Sequence, residues 1–435
     1  MKPLSIKNFP NAIIHVDGDA FFASCEQALD PSLRGKVVIT GKERGIVSAV
    51  SYEGKRLGIT RAMTLTEVRK ICPEAIILPS NYEAYSLFSM RMHEIVRRYT
   101  SEVEEYSIDE CFADITGMRR PLKMSYEKIA LSIKNDLNTE LGMTFSVGLA
   151  PTKVLAKVGS KFEKPNGFTS ISARKAHIFL SKITVGSVWG IGPQTASFLN
   201  KSGIKSAYDF AVKDEAWVKQ NLFKPFQEIH YELRGIKIYE IDTKKKDTYA
   251  SISKTKTFTP ASNDEAFVFS QLSKNIENAC IKLRRYNLRT KKASLFLKTN
   301  DFQYVAVEVE LVNAVNTPKS LVSLAEEKFD ELFQKSVFYR GSGVVLSELS
   351  QGLVQSDLFG ERAVVEKIEI VYRAIDEIAE KFGKHSVFLG SSFFAVTGKK
   401  FLNKRNVRAD RQVSELLKGE SLRKHINIPI IGSVE

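Results

Sequence analysis

Over the first 170 residues, six short β-branched or apolar runs (AIIHVD, VVIT, IVSAVS, AIILP, VEEYSID and TFSVGLA) alternate with helical apolar spacing at 82–99 and 125–140. Short runs of this kind are strands, whereas apolar residues recurring every three or four positions make one buried helix face. The alternation restricts this part of the chain to an α/β or α+β domain of catalytic type. From about 174 to 236 the pattern turns helical, centred on SVWGIGPQTASFLNKSGI and closing with ELRG. Residues 237–250, with Lys244, Lys245 and Lys246, lack apolar periodicity and read as a linker. Residues 251–350 mix strands such as KASLFLKT and YVAVEVEL with helices at 265–283 and 319–334, the make-up of a small α+β domain. The remaining tail holds an amphipathic helix over 362–382 and a basic, irregular stretch at 399–411, without internal repeats or low-complexity tracts.

At 435 residues the chain is long enough for about three domains. No apolar run reaches the roughly 20 residues of a membrane span. The start, MKPLSIKNFP, lacks the basic, apolar and small-residue succession of a secretory leader. The four cysteines, Cys25, Cys72, Cys111 and Cys280, are scattered and show no CxxC spacing. A soluble protein of a reducing cytoplasm, with no membrane partner, is therefore expected. The net charge of +14 favours a polyanionic partner, because neutralising phosphates releases counterions whatever the base sequence. Nucleic acid is the leading candidate; a merely basic enzyme is the plainer one.

Acidic residues fall at two strand ends. AIIHVDGDAFF puts Asp17 at the tip of an apolar run, just before a helix expected from about Phe21. Asp17 or Asp19 could simply cap that helix. VEEYSIDECFADITG puts Asp109 and Glu110 at a polar interruption of an alternating strand, where an acidic hairpin tip is the ordinary explanation. Together, three carboxylates at strand ends of one domain can hold two Mg²⁺ ions about 3.5–4 Å apart, one activating a hydroxyl and one clamping a triphosphate. Asp17 and Asp109 would bridge both ions, Glu110 would favour the ion at an attacking 3′-hydroxyl, and the Gly18 carbonyl could complete the other shell.

Six motifs, VDGDAFFASCE, SYEGKRLGI, SNYEAYS, VEEYSIDE, FSVGLAPTKVLAKVGSKFEKPNG and VWGIGPQTASFLNKSGI, follow in this order. In them the chain resembles the Y-family DNA polymerases of the DinB/UmuC kind, from about residue 11 to 360. The resemblance implies a multidomain α+β protein: a ferredoxin-like palm (1–23 and 82–173), small fingers (24–81), a helical helix-hairpin-helix thumb (174–236), a linker (237–250) and an α+β little finger (251–350). A tail (351–435) follows. It implies template-directed, low-fidelity translesion synthesis on primer-template DNA from deoxynucleoside triphosphates, with Asp17, Asp109 and Glu110 catalytic and two Mg²⁺ as cofactors. Phe22 resembles the steric gate that excludes a ribose 2′-hydroxyl, with Phe21 beside it; by general habit both rings would be core.

Tyr52, Lys55 and Lys164 resemble the family's triphosphate contacts. Two departures stand out: Lys55 where the family usually has arginine, replacing a planar fork by a point charge, and Ala49 where many members carry threonine. Gly190 and Gly192 of the helix-hairpin-helix would let backbone N–H groups meet a DNA phosphate, although a glycine turn between packed helices looks the same. In the little finger, Lys282, Arg284, Arg285, Arg289, Lys291, Lys292 and Lys298 occur between 281 and 300 with no acidic residue. They read as a phosphate-binding surface or as a solvated basic face. QSDLF at 355–359 resembles the peptide that docks bacterial polymerases on the sliding clamp, with Gln355, Leu358 and Phe359 as anchors. A recombinase or an accessory mutagenesis subunit would be further partners in a bacterial SOS response to DNA damage. Two other readings use the same residues: a palm-type nucleotide cyclase, which needs neither the hairpin motif nor the basic domain, and a catalytically weak primer-template and clamp scaffold.

Overall fold

The computed structural model describes residues 2–5, 8–244, 249–351, 361–383 and 385–397. Contacts divide the chain into two compact units, meeting in sequence at Lys244/Lys245. The first contains β1 (Ile13–Gly18), α1 (Phe21–Leu29), β2 (Val38–Thr40), β3 (Ala49–Val50), α2 (Tyr52–Arg56), α3 (Leu65–Ile71), β4 (Ile76–Leu78), α4 (Tyr82–Arg97), β5 (Val103–Glu105) and β6 (Glu110–Asp114). It continues through α5 (Arg119–Leu122), α6 (Tyr126–Leu141), β7 (Phe145–Ala150), α7 (Lys153–Phe162) and β8 (Phe168–Ser170) to the helices α8 (Ala176–Leu180), α9 (Pro193–Lys201), α10 (Ala207–Ala211), α11 (Glu215–Asn221) and α12 (Lys224–Leu233).

The main sheet has the order β5-β6-β1-β7-β8. β1 runs antiparallel to β6 and β7, with Asp17 opposite Glu110 on one side and Ser146 on the other. Every residue of β1 is buried, because helices cover both faces. Ile14 and Val16 pack against α1, α4 and α6 through Tyr85, Phe88, Ile129 and Ile133. Ile13, like Phe112 of β6, faces the opposite layer with Val154, Leu155 and Val158 of α7. Side chains alternate along a strand, so Asp17 and Glu110 share the parity of Ile13 and Phe112 and turn toward α7. Gly148 lets α7 lie directly on the sheet: a Cβ there would stand 2.0 Å from the Ala156 carbonyl oxygen. A separate three-stranded sheet, β3-β2-β4, carries α2 and α3.

The second unit is built from β9 (Ile252–Ser262), α13 (Glu265–Arg285), β10 (Leu288–Thr299), β11 (Tyr304–Val315), α14 (Pro318–Glu327), α15 (Phe329–Leu332), β12 (Tyr339–Gln351), α16 (Glu361–Phe382) and α17 (Phe393–Thr397). Its antiparallel sheet, β11-β10-β12-β9, buries Ala293, Leu295, Leu297, Val344 and Leu346 in a core shared with α13 and α14. Among the described residues, no helix is long and apolar enough to cross a membrane.

The sequence expectations need three local corrections. VEEYSID is not one strand: β5 and β6 form a hairpin whose turn, 106–109, is closed by Ser107 N–H donating to the Glu110 carbonyl at 3.0 Å. IVSAVS contributes only the two residues of β3, and the helix expected over 319–334 is two helices, breaking at Lys328. The peptide at 355–359 and the stretch at 399–411 lie outside the described residues.

Candidate active site

Asp17 ends β1, Glu110 opens β6 directly opposite, and Asp109 sits in the turn before it, its carbonyl accepting from Gly18 N–H at 2.8 Å. The capping explanation for the first pair of acids fails. The residue before α1 is Ala20, in the left-handed region at φ 49°, and no side chain caps the helix. Asp17 is 5% exposed, and burial raises its pKa to about 6. Lys164 opposes that rise, and the nearby Glu110 and Asp109 carboxylates add to it.

Two ammonium groups answer this crowded anionic charge. Lys164 Nζ ion-pairs with Asp17, and Lys157 Nζ stands 2.5 Å from Glu110 Oε2. Lys153, Lys157 and Lys161 recur every fourth residue, on one face of α7. Lys153 meets Glu104 at 2.6 Å. Burial and the neighbouring Lys157 hold Lys161 below the usual lysine range. Lys157 also lies 4.4 Å from the centre of the Tyr106 ring. Sequence reasoning missed Lys157, although four-residue lysine spacing beside two strand-end acids was a visible signal.

Asp19 was missed as well. It is fully buried and accepts from Ser146 Oγ at 2.9 Å, from the Asn166 N–H at 2.7 Å and from the Tyr52 hydroxyl at 3.5 Å, with Lys164 Nζ at 3.8 Å. Asp19 therefore ties β1 to β7, to the KPNG loop after α7 and to α2. Tyr52 and Lys55 occupy one face of α2, with the Lys55 ammonium 4.0 Å from the centre of the tyrosine ring. Burial, then Asp19 and Asp17, push the Tyr52 phenol up; burial, then Lys164, push the Lys55 ammonium down. Tyr52, Lys55 and Lys164 thus converge on the carboxylate end of the sheet. Ala49 precedes them in β3 and is half-buried.

The two phenylalanines separate. Phe21 is 4% exposed and lies under Gly18, where a Cβ would come within 2.6 Å of its ring. Its ring packs in the core. Phe22 is half-buried and stacks on Tyr85 at 4.5 Å. In the helical segment, Gly190 adopts φ +88°, and Gly192 precedes Pro193 at the start of α9 with open space around it.

The basic run of the second unit is also divided. Arg284 is not a free cation: its Nε and Nη2 meet the Asp376 carboxylate of α16 at 2.6 and 2.7 Å. Arg289 pairs with Glu369 of the same helix, and Lys292 with Glu308 at 2.8 Å. These pairings tie Arg284 and Arg289 to α16. Arg285 and Lys291 are exposed. The sheet surface away from α13 carries a cluster the sequence did not reveal. Lys298 lies 4.7 Å from the Tyr304 ring centre, and the Arg340 guanidinium 4.2 Å from that of Phe302.

The donors at the β1–β6 end are all oxygen, which suits a hard divalent cation; burial raises the pKa of Asp17, and the adjoining Glu110 and Asp109 carboxylates add a smaller rise. Among the described residues, no three acidic, His or Cys side chains converge closely enough to hold a metal. The end of the β1–β6 ladder thus sets an acid cluster beside a lysine-lined helix.

Residues 16–161 match the impB/mucB/samB family, and residues 249–358 match the impB/mucB/samB family C-terminal domain. DNA polymerase IV of Streptococcus pyogenes serotype M1 is 31% identical over 359 residues, covering 81% of this chain and 98% of the relative. DNA polymerase IV of Desulfatibacillum aliphaticivorans is 31% identical over 383 residues, covering 87% and 96%. Among solved structures, a Dbh–Dpo4–Dbh chimera of Y-family DNA polymerases matches with a TM-score of 0.66 at 25% identity, covering 78% of this chain and all of the chimera. An insertion ternary complex of Dbh DNA polymerase matches with a TM-score of 0.52 at the same identity and coverage. The chain belongs to the impB/mucB/samB family, the DinB-type Y-family polymerases, which are DNA-directed DNA polymerases of the translesion class.

Proposed function

We propose that this polymerase extends primer-template DNA with deoxynucleoside triphosphates by two-metal nucleotidyl transfer at low fidelity, tethered to a sliding clamp in a bacterial cytoplasm. The observation that carries the reading is the juxtaposition of Asp17, Glu110 and Asp109 at one end of the β1–β6 ladder. These three carboxylates, with the Gly18 carbonyl, would hold two Mg²⁺ ions, whose chemistry is activation of the 3′-hydroxyl and neutralisation of the triphosphate. Tyr52 offers a hydroxyl donor to the phosphates, and Lys55 and Lys164 offer cations, Lys164 exchanging a carboxylate partner for a phosphate. Phe22, exposed on one side, meets the sugar. Gly190 and Gly192 open the α9 start to a duplex phosphate. Arg285, Lys291, Lys298 and Arg340 supply charge along the backbone. Gln355, Leu358 and Phe359 would seat on the clamp and raise the local concentration of polymerase at primer ends.

The deciding experiment is extension of a primed template with Mg²⁺ and four deoxynucleotides by the wild type and by Asp109→Ala. Extension lost in the variant, with primer-template affinity retained, supports the reading. Equal extension by both overturns the metal assignment, and none by either supports the scaffold alternative.

A further inference from the structure

Phe22 and Glu26 stand one helical turn apart on α1, and Tyr85 of α4 touches both. Its ring stacks on Phe22 with an interplanar angle of 15°, and its hydroxyl donates to Glu26 Oε1 at 2.5 Å. Tyr85 is fully buried, so its hydroxyl is shut away from water and depends on that acceptor. Tyr82 meets the Phe22 ring edge-on at 5.4 Å and the Tyr85 ring at 5.9 Å. The Arg44 guanidinium lies 5.5 Å from the Tyr82 ring centre. The ring that would meet the sugar thus rests on a buried aromatic, and that aromatic is pinned through its polar end.

A stacked pair resists separation but slides easily in its own plane, because dispersion changes little with offset. A hydrogen bond to a carboxylate is directional and shorter in reach. Placing the acceptor four residues after Phe22 on the same helix means that Tyr85 cannot slide relative to Phe22 without breaking the bond. Rejecting a single hydroxyl by steric contact requires placement to well under an ångström.

We propose that Glu26 is a positioning residue for sugar discrimination: by holding the Tyr85 hydroxyl it fixes the plane under Phe22 and so the clearance left for a 2′-substituent. This rests on the reading of Phe22 as the gate. The purely structural alternative is that the pair only joins α1 to α4, in which case its loss lowers stability and leaves sugar selectivity alone.

The test is single-nucleotide incorporation by the full chain, comparing kcat/KM for matched deoxy- and ribonucleotides in the wild type, Phe22→Ala, Tyr85→Phe, Glu26→Ala and Glu26→Gln. Tyr85→Phe and Glu26→Ala are expected to reduce discrimination about tenfold while deoxynucleotide kcat/KM stays within about threefold. Glu26→Gln keeps an acceptor oxygen and should restore most of the wild-type ratio. Tyr85→Phe removes one oxygen from a buried ring and keeps the test open if Glu26→Ala fails to fold. Phe22→Ala with unchanged selectivity would overturn the gate reading itself. Altered selectivity in Phe22→Ala, with wild-type selectivity in Tyr85→Phe and Glu26→Ala, would overturn the role of Glu26 alone.

Discussion

Asp17 and Glu110 face each other across the β1–β6 ladder, and each is neutralised by a lysine from one stretch of chain, Lys164 for Asp17 and Lys157 for Glu110. Both lysines come from α7 or the loop that leaves it, which Gly148 brings down onto the sheet. The two acids and the cations that neutralise them are therefore brought together by one packing contact, between α7 and β7. In the proposed reaction the lysines and the incoming cations compete for the same carboxylates.

That competition is measurable at Lys157. Its side chain is 7% exposed, so its charge is only weakly screened. Lys157→Met keeps the aliphatic packing beside Tyr106 and removes the charge. The Mg²⁺ concentration giving half-maximal extension is expected to fall roughly threefold, the effect of removing one partly screened like charge near a cation site. An unchanged Mg²⁺ titration, with the variant folded, would show that Glu110 is not in the site.

At Lys55, exchange for arginine should strengthen the hold on the triphosphate. The ammonium now rests over the Tyr52 ring, a position a guanidinium can share while presenting a two-pronged donor. Lys55→Arg is expected to lower the apparent nucleotide KM about fivefold, roughly one kcal/mol, with kcat little changed. An equal KM in steady-state incorporation would mean that another group carries that phosphate.

How much of this was legible differs between the two units. The strand-end acids stood out because an apolar run broken by Asp or Glu needs an explanation; β1 lies where its run implied it, whereas the second run is a hairpin with Asp109 in the turn and Glu110 opening β6. Register was not legible: only the folded ladder puts Asp17 opposite Glu110, and only side-chain alternation then turns both toward α7. Asp19 was hidden because a short acid before a helix, like Asp17 beside it, could equally be a cap. Its burial comes from Ser146, 127 residues on, and Asn166, 147 residues on. The partners of the basic run at 281–300 were hidden for the same reason, since the acids that pair with Arg284 and Arg289 lie on α16, far along the chain.

The Glu26 carboxyl sets a pH dependence of stability. Burial raises its pKa above the ordinary 4.5, partly offset by the Tyr85 hydroxyl. A carboxyl with a raised folded pKa contributes most in acid, and its contribution is lost as pH rises through that pKa. Glu26→Gln has no such titration. Its Tm should match or trail the wild type below about pH 4, then gain on it by about 1–3 °C toward pH 8. A constant difference across the range, followed by calorimetry, would contradict the burial cost.

Deleting residues 355–359 should abolish stimulation by the sliding clamp and leave unassisted extension within about twofold, because effective concentration is lost but no catalytic group is. Equal stimulation before and after deletion, in an extension assay with loaded clamp, would reject the peptide as the tether.

Salt dependence separates the cations of the second unit. A cation that releases a counterion on binding duplex contributes close to one unit to the slope of log affinity against log salt. Arg284 is 8% exposed at its side chain and already spans the Asp376 carboxylate and the Asn316 carbonyl. Arg284→Ala should therefore lower the stability of this unit, by about 3 kcal/mol if Asp376 is left uncompensated, and leave the slope unchanged. Lys298 and Arg340 sit on the uncovered sheet surface beside Phe302 and Tyr304, which are 58% and 62% exposed. Lys298→Ala with Arg340→Ala should leave stability nearly unaltered and reduce the slope by about two, read by fluorescence anisotropy on primer-template over a range of salt. A reduced slope in Arg284→Ala would mean that α16 moves aside when DNA binds, and an unaltered slope in the double variant would place the duplex on another surface of the unit.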